Sequence, residues 1–195
     1  ADGLVFYETL LKNASTYLKS SGFFLFEIGY DQAADLAELA LLVDSYRSNG
    51  NIEKAIKLGE KLSVLSPEGF CAEDAAKLTT NEVRQLRALM LFAAQIALHK
   101  YLPHAMLSSQ AINSMYARLS ETAAGFFSNI SDGSSFTFYY LTVRKNKDVV
   151  ENIGKNYAML CDKDEDEYLV SLGGRVFSQV DVYICDLIEK AEFAE

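Results

Sequence analysis

The cysteines are the strongest nucleophiles in this sequence, and their thiolates are also metal ligands. Cys71, Cys161 and Cys185 are an odd number and include no C-x-x-C pair. This usage is typical of free thiols in a reducing compartment and argues against a disulfide framework or a zinc finger. Cys161 and Cys185 lie in apolar periodic patterns, where a cysteine acts as a small buried hydrophobe. We therefore expect buried thiols at these two positions.

The two histidines, His99 and His104, are the other candidate ligands or general bases. A helix brings residues four apart to one face, whereas these two are five apart. A metal site would therefore need carboxylates from elsewhere in the fold. A Cys–His nucleophilic pair stays open, because such partners meet in space, but no local pattern supports it. The sequence predicts no metal site, no cofactor and no catalytic residue.

An acidic run covers residues 162–167, with the sequence DKDEDE. Its Asp-x-Asp-x-Asp start resembles a calcium-binding loop, which needs Gly at position six and Glu at position twelve. Glu167 and Gly173 occupy those positions here. The run therefore predicts a hydrated connector that opens a helix, where negative charge is favourable.

The aromatic residues are the most distinctive part of the composition, with 11 Tyr, 12 Phe and no Trp. Several tyrosines lie on or beside the apolar faces of predicted helices, where a buried ring can extend its hydroxyl to the surface. Most should belong to the core, but some could line a pocket between helices or an interface. The candidates for a pocket or interface are Tyr116, Tyr139, Tyr140, Tyr157 and Tyr183.

The charge pattern excludes several classes of partner. The net charge is −9, and the densest basic cluster is Arg144-Lys145-Asn146-Lys147. Nucleic-acid binding needs a larger basic cluster than this, and so does attraction to an anionic membrane surface. No apolar run is long enough to cross a bilayer, and no signal peptide opens the chain. We expect a cytoplasmic protein that binds neither nucleic acid nor membrane.

The elements that would position these residues begin with an N-terminal helix–strand–helix pattern. Apolar residues recur at helical spacing over residues 4–19, and residues 23–28 (FFLFEI) form an apolar run that predicts a strand buried on both faces. Asp31 can cap the next helix, which Asn49-Gly50 should end. Such a strand needs a partner for its backbone hydrogen bonds, either elsewhere in the chain or in a dimer; otherwise the segment must become helical.

Residues 1–40 resemble the late part of the release-factor glutamine methyltransferase family. In that family a helix ending Leu-Lys-Pro-Gly-Gly leads into a strand ending Glu-Ile-Gly, and a Gln follows. The matching residues here are Leu18-Lys19-Ser20-Ser21-Gly22, Glu27-Ile28-Gly29 and Gln32. The family's glycine-rich S-adenosylmethionine loop and its Asn-Pro-Pro-Tyr motif have no counterpart, since the sequence contains neither Gly-x-Gly nor Asn-Pro. The resemblance therefore transfers no catalytic or cofactor-binding residue.

A weaker resemblance to a single tetratricopeptide unit covers residues 36–69. It is carried by the spacing of Tyr46, Gly50, Ala55 and Pro67. No second copy follows, and a solenoid needs about three repeats to bury its faces. An ordinary helical hairpin is the alternative interpretation.

The remaining sequence predicts helices. Thr79 and Glu82 form a capping-box pattern that opens a helix running to Tyr101, and its segment 88–98 is apolar on nearly every side, as in a centrally buried helix. Further helices are predicted over 104–130, 150–160 and 165–193. Residues 135–143 (SFTFYYLTV) fit a strand or a helix, and the helical neighbours favour a helix. Gly173-Gly174 predicts a break in the last helix or, alternatively, the close approach of another backbone.

These observations predict a mainly α protein: a helical bundle at residues 41–195 with a helix–strand–helix appendage at residues 1–40. No enzyme signature is present. The first functional hypothesis is a non-catalytic domain that binds a protein partner or itself as a homo-oligomer. The alternatives are a small-molecule-binding or regulatory domain with a tyrosine-lined pocket, and a fragment of a methyltransferase.

Overall fold

A computed structural model describes residues 9–10, 33–130 and 133–194. Thr9 and Leu10 are helical. The rest of the predicted helix at 4–19, the predicted strand at 23–28 and Asp31 lie outside the described residues.

The described residues form helices and no strand, which confirms the mainly α class. We number them α1 to α9 in chain order. Their bounds are α1 Ala33–Ser48, α2 Asn51–Leu62, α3 Glu68–Ala75, α4 Thr80–Tyr101, α5 Ala105–Thr122, α6 Ala124–Ile130, α7 Ser134–Lys145, α8 Val149–Leu160 and α9 Glu167–Ala191. Residues 135–143 are thus helical, as the helical neighbours favoured. None of these helices combines the length and apolar content that a membrane span requires.

The chain divides into two compact units, residues 1–53 and residues 54–195. In the first unit, α1 ends where predicted: the Asn49 N–H donates to the carbonyl of Ser45, and Gly50 has φ +79°, a left-handed conformation that favours glycine. The domain boundary predicted near residue 40 stays a prediction.

Helix α4 is the central helix of the second unit. Its start is a capping box, in which the Thr79 side chain accepts from the Glu82 N–H and the Glu82 carboxylate accepts from the Thr79 N–H. Between residues 88 and 98 only Gln95 and Ile96 are partly exposed. The predicted centrally buried segment is therefore confirmed, and α5, α7, α8 and α9 all contact this helix.

Helix α9 runs unbroken through Gly173 and Gly174, so the predicted break is wrong and the alternative, close approach, is correct. A side chain on Gly174 would collide with the Val150 carbonyl of α8, and one on Gly173 would collide with the Tyr157 ring. A side chain on Gly154 would overlap the Val170 carbonyl of α9. Glycine on both helices therefore lets α8 and α9 approach until backbone meets backbone.

The helix predicted over 104–130 is interrupted. Helix α5 ends at Thr122, and Ala123 has the non-helical angles φ −144° and ψ 49° before α6 begins. The segment Ala123-Ala124-Gly125 has almost no side-chain packing to hold a continuous helix, and glycine costs about 1 kcal/mol in a helix interior. After the break, the Phe126 ring lies 4.5 Å below the guanidinium of Arg87.

The acidic run is the connector predicted from the sequence. Asp166 caps α9, because its carboxylate accepts a hydrogen bond from the Leu169 N–H at 3.1 Å. Lys163 reaches the Glu82 carboxylate at 2.7 Å and so ties the connector to the start of α4. This confirms a connector that opens a helix with negative charge at its N-terminus.

Candidate interaction site

Three of the five candidate tyrosines converge on the middle of α4. The Phe92 ring lies 5.2 Å from the Tyr139 ring and 5.1 Å from the Tyr140 ring, measured between centroids. Tyr116 reaches the same region from α5 through Gln95 of α4. Sequence periodicity placed each ring on a helix, but only the packing of α4, α5 and α7 brings them together.

Gln95 links two of these tyrosines in a directional hydrogen-bond chain. The Tyr116 hydroxyl donates to Gln95 Oε1 at 3.2 Å, and Gln95 Nε2 donates to the Tyr140 hydroxyl oxygen at 2.5 Å. Burial raises the pKa of both phenols, so both keep their protons at neutral pH. The Tyr140 proton has no acceptor among the described residues. Tyr140 therefore presents a free O–H donor near the surface.

Beside this chain lies a cleft of about 280 Å³. Its lining residues are Tyr116, Phe127, Ile130, Gly133 and Phe136, which we call the aromatic cleft. Phe136 also packs edge-on against Phe92 at 5.7 Å, which connects the wall of the cleft to the core. The break at Ala123 matters here, because it directs α6 so that Phe127 lies 6.3 Å from the Tyr116 ring.

Tyr139 and Tyr157 are core residues with contrasting hydroxyls. The Tyr157 hydroxyl donates to the Glu82 carbonyl at 3.1 Å, whereas the buried Tyr139 hydroxyl has no hydrogen-bond partner among the described residues. Desolvation raises the pKa of both phenols. It also raises the pKa of the neighbouring buried Cys161 thiol to about 11. These groups stay neutral at physiological pH and form part of the core rather than the aromatic cleft.

Tyr183 is separate from the other four. It packs edge-on against Phe70 of α3, with 5.3 Å between ring centroids. The predicted set of five tyrosines is therefore divided: Tyr116 and Tyr140 border one surface site, Tyr139 and Tyr157 are buried, and Tyr183 belongs to another surface.

The remaining candidate groups have local structural contacts. His104 caps α5 by accepting from the Met106 N–H, and His99 Nδ1 lies 3.0 Å from the Ser108 hydroxyl. Cys161 is buried as predicted, but Cys185 is half-buried, so that prediction is wrong: its position on α9 lies beside the apolar face, next to Glu189. No group of three potential metal ligands occurs in the described ranges.

A cleft of about 590 Å³ lies between α8 and the start of α9. Its lining includes Glu151, Asp164, Glu165 and Glu167, and we call it the acidic cleft. Lys155 pairs with Glu151 across one turn of α8 and lowers the pKa of that carboxylate. The carboxylates of Glu151, Asp164, Glu165 and Glu167 are exposed and form a hydrated surface.

A basic groove of about 370 Å³ was missed by the sequence analysis. Lys54, Lys57, Lys61 and Lys190 surround an apolar floor of Leu58, Leu187 and Ala191, and we call this site the lysine groove. The sequence signal was present, because residues 54, 57 and 61 recur at helical spacing on α2. Residues 144–147 are the densest basic run along the sequence, whereas the lysines of the groove are separated in sequence and meet only in the fold.

Comparison with known proteins gives one partial match. A stretch of 67 residues is 42% identical to the release factor glutamine methyltransferase of Fusobacterium nucleatum subsp. nucleatum, covering 29% of this chain and 19% of that enzyme. The chain thus spans about a fifth of the length of that curated relative. No family model matches the chain, and no solved structure gives a significant match. The match supports the methyltransferase resemblance in part, and the tetratricopeptide resemblance stays a prediction.

Proposed function

We propose that this chain is a non-catalytic protein-interaction domain whose aromatic cleft receives one apolar side chain of a partner protein. The observation that carries the proposal is the aromatic cleft itself, whose lining residue Tyr116 is linked through Gln95 to the Tyr140 hydroxyl, whose proton no described residue accepts. Interfaces concentrate binding energy where an aromatic or aliphatic anchor enters such a pocket.

The size of the cleft favours an anchor side chain over a complete small molecule. Ligand sites in proteins usually enclose roughly 300–1,000 Å³, and the aromatic cleft has about 280 Å³. A single Leu, Met or Phe side chain can fill it while the rest of the partner covers the surrounding surface. Tyr140 of α7, which lies one turn after the lining residue Phe136, is 41% exposed.

The Tyr140 hydroxyl adds orientation to this apolar contact. Its oxygen already accepts from Gln95, so the ligand must supply an acceptor for its proton. A backbone carbonyl next to the anchor side chain meets this requirement. Buried polar groups that would otherwise lack partners are the main source of specificity in such sites.

A small aromatic ligand is the second candidate occupant, because the same chain of Tyr116, Gln95 and Tyr140 can orient a ring that carries a hydrogen-bond acceptor. The notion of a methyltransferase fragment rests on the match to 19% of a relative. Under that alternative, S-adenosylmethionine binding and methyl transfer would require residues that this sequence does not supply.

The test is site-specific photo-crosslinking in cells of the source organism. A benzophenone amino acid at the exposed Thr137, one turn after the lining residue Gly133, should give a discrete adduct with a second protein, and the same amino acid at the exposed Val182 should not. Phe127→Trp, which enlarges a lining ring, should abolish the adduct at Thr137. Adducts at both positions, or at neither, would contradict the proposal. A small molecule that copurifies with the wild type but not with Phe127→Trp would support the second candidate.

A further inference from the structure

We propose that the lysine groove is a second, independent binding site, which takes an acidic amphipathic helix of a partner protein. The groove lies between α2 and the last turn of α9, and all of its lining residues belong to the compact unit 54–195. The proposal does not depend on the aromatic cleft, which is lined by α5, α6 and α7.

The charge of the lysine groove differs in sign from the net charge of the chain. The protein has a net charge of −9, yet the lining of this groove contains four lysines and no carboxylate. On α2, Glu53 and Glu60 are not lining residues, although Glu53 lies one turn before Lys57. On α9, Glu189 is not a lining residue either, and Asp186 lies one turn before Lys190. The lining of the groove itself therefore presents positive charge despite the overall charge.

Two of these ammonium groups make no ion pair with the residues that the structure describes. Lys54 donates to the Glu192 carbonyl at 2.6 Å and so stabilises the C-terminus of α9. Lys61 and Lys190 make no ion pair within the described part of the chain, and both are exposed. They are free to bind carboxylates of a partner.

The floor of the lysine groove is apolar. Leu58, Leu187 and Ala191 lie between the two lysine-bearing walls. Beyond Lys61 the surface continues into a groove of about 300 Å³ that includes Val64 and Phe70. Val64 is 67% exposed, a large apolar side chain without cover. A ligand complementary to this groove therefore carries carboxylates at its edges and apolar residues in its centre.

The geometry favours a helix over other anionic ligands. Residues 54 to 61 span two turns of α2, roughly 10 Å, which matches carboxylates spaced four and seven residues apart on an opposing helix. Helix-in-groove recognition uses apolar anchors at the same spacing. A nucleic-acid backbone would gain nothing from the apolar floor, and a membrane surface binds protruding rather than concave apolar surfaces.

The experiment is a selection from a displayed library of helical 16-residue peptides on the full chain. Recovered peptides are then measured by fluorescence anisotropy on three proteins: the wild type, Lys61→Glu/Lys190→Glu, and the matched control Lys145→Glu/Lys147→Glu. The two double variants change the net charge equally, and all four lysines are exposed. Circular dichroism checks that each variant is folded.

We expect an apolar stripe flanked by Asp or Glu in the recovered peptides. Their affinity should fall at least tenfold on Lys61→Glu/Lys190→Glu, stay within twofold of wild type on the control, and decrease as NaCl rises from 50 to 300 mM. Recovery of no peptide, of peptides without acidic residues, or of peptides that bind both variants equally would overturn the proposal. So would lysine-dependent binding of phosphatidylserine vesicles or duplex DNA that exceeds the affinity of every peptide.

Discussion

Two buried tyrosine hydroxyls show that the contribution of a polar atom to stability depends on whether it has a hydrogen-bond partner. Tyr157 and Tyr139 are both completely buried and lie on neighbouring helices, α8 and α7. The Tyr157 hydroxyl donates to the Glu82 carbonyl, while the Tyr139 hydroxyl has no hydrogen-bond partner in the part of the chain that the structure describes. A satisfied hydrogen bond contributes about 1 kcal/mol to stability, whereas an unsatisfied buried group costs about 1–3 kcal/mol.

The two hydroxyls should therefore respond oppositely to removal. We expect Tyr157→Phe to lower the free energy of unfolding by about 1 kcal/mol, and Tyr139→Phe to leave it unchanged or raise it by up to about 1 kcal/mol. Urea denaturation followed by circular dichroism measures both changes. Since each variant is the control for the other, equal losses in both would show that the Tyr139 hydroxyl has a partner.

Glu82 makes stability depend on pH. The hydrogen bond from Lys163, and after it the bond from the Thr79 N–H, lower the pKa of this carboxylate below its usual range. A carboxylate with a lowered pKa stabilises the fold above its unfolded pKa of about 4.3, and this stabilisation is lost as the pH falls through the lower folded value. Glutamine at this position can keep the capping contact but carries no charge.

Glu82→Gln should therefore lower the unfolding free energy by about 1 kcal/mol at pH 7, and this difference from wild type should shrink as the pH falls below about 4. Glu151→Gln is the control, because the exposed Glu151–Lys155 pair should contribute less. Thermal melts of the three proteins between pH 3 and 7 provide the comparison. A Glu82 effect that is independent of pH would contradict the ion-pair explanation.

At the scale of elements, α8 and α9 pack closely because glycines leave no side chains between their backbones. Gly154 on α8 faces the Val170 carbonyl, and Gly173 and Gly174 on α9 face Tyr157 and Val150. Helix α9 is further tied to α3 by Arg175 and Asp74 at 2.6 Å. The intrinsic cost of glycine in a helix is thus offset by close packing with the neighbouring helix.

Gly154→Ala tests this close approach. The added Cβ would overlap a backbone carbonyl, which cannot rotate away as a side chain can. We expect a loss of at least about 1–3 kcal/mol in the unfolding free energy, typical of overpacking. Gly125→Ala on α6 is the matched control, because its Cβ would meet no atom within 4 Å. That change should be neutral or stabilising by up to about 1 kcal/mol. Similar losses at both glycines would contradict the packing explanation.

At the scale of the whole molecule, charge is unevenly distributed over the surface. The acidic cleft and the lysine groove both belong to the compact unit 54–195, although the chain as a whole carries −9. An overall charge therefore does not describe the surface that a partner meets. The exclusion of nucleic acid and membranes, made from net charge and from sequence-adjacent basic residues, stays a prediction that the proposed binding experiments examine directly.

Limited proteolysis tests the division of the chain. Compact units are joined where few contacts cross, so the first cleavages by proteinase K, which cuts after many residue types, should fall before Lys54 and leave a stable C-terminal product. Intact-mass measurement over a time course identifies the product, and a boundary close to residue 40 would also confirm the predicted domain limits. First cleavage within α4 or α9 would contradict both.

Local patterns in the sequence determined which segments are helical and how several of them begin. The capping box at Thr79, the stop at Gly50 and the acidic start of α9 depend on residues within one turn of each other, so their geometry follows from the sequence alone. The apolar segment 88–98 likewise required burial on every side, whatever surrounds it. The mainly α class follows from such local signals.

Only the tertiary structure decided which of those segments meet. It kept α9 continuous at Gly173-Gly174, broke the helix at Ala123, and brought Tyr116 and Tyr140 to the two ends of one glutamine. It also placed Lys190 opposite Lys61, residues that are distant in the chain. The physical reason is that helix formation depends on neighbours in sequence, whereas close approach, clefts and charged grooves depend on side chains contributed by different helices.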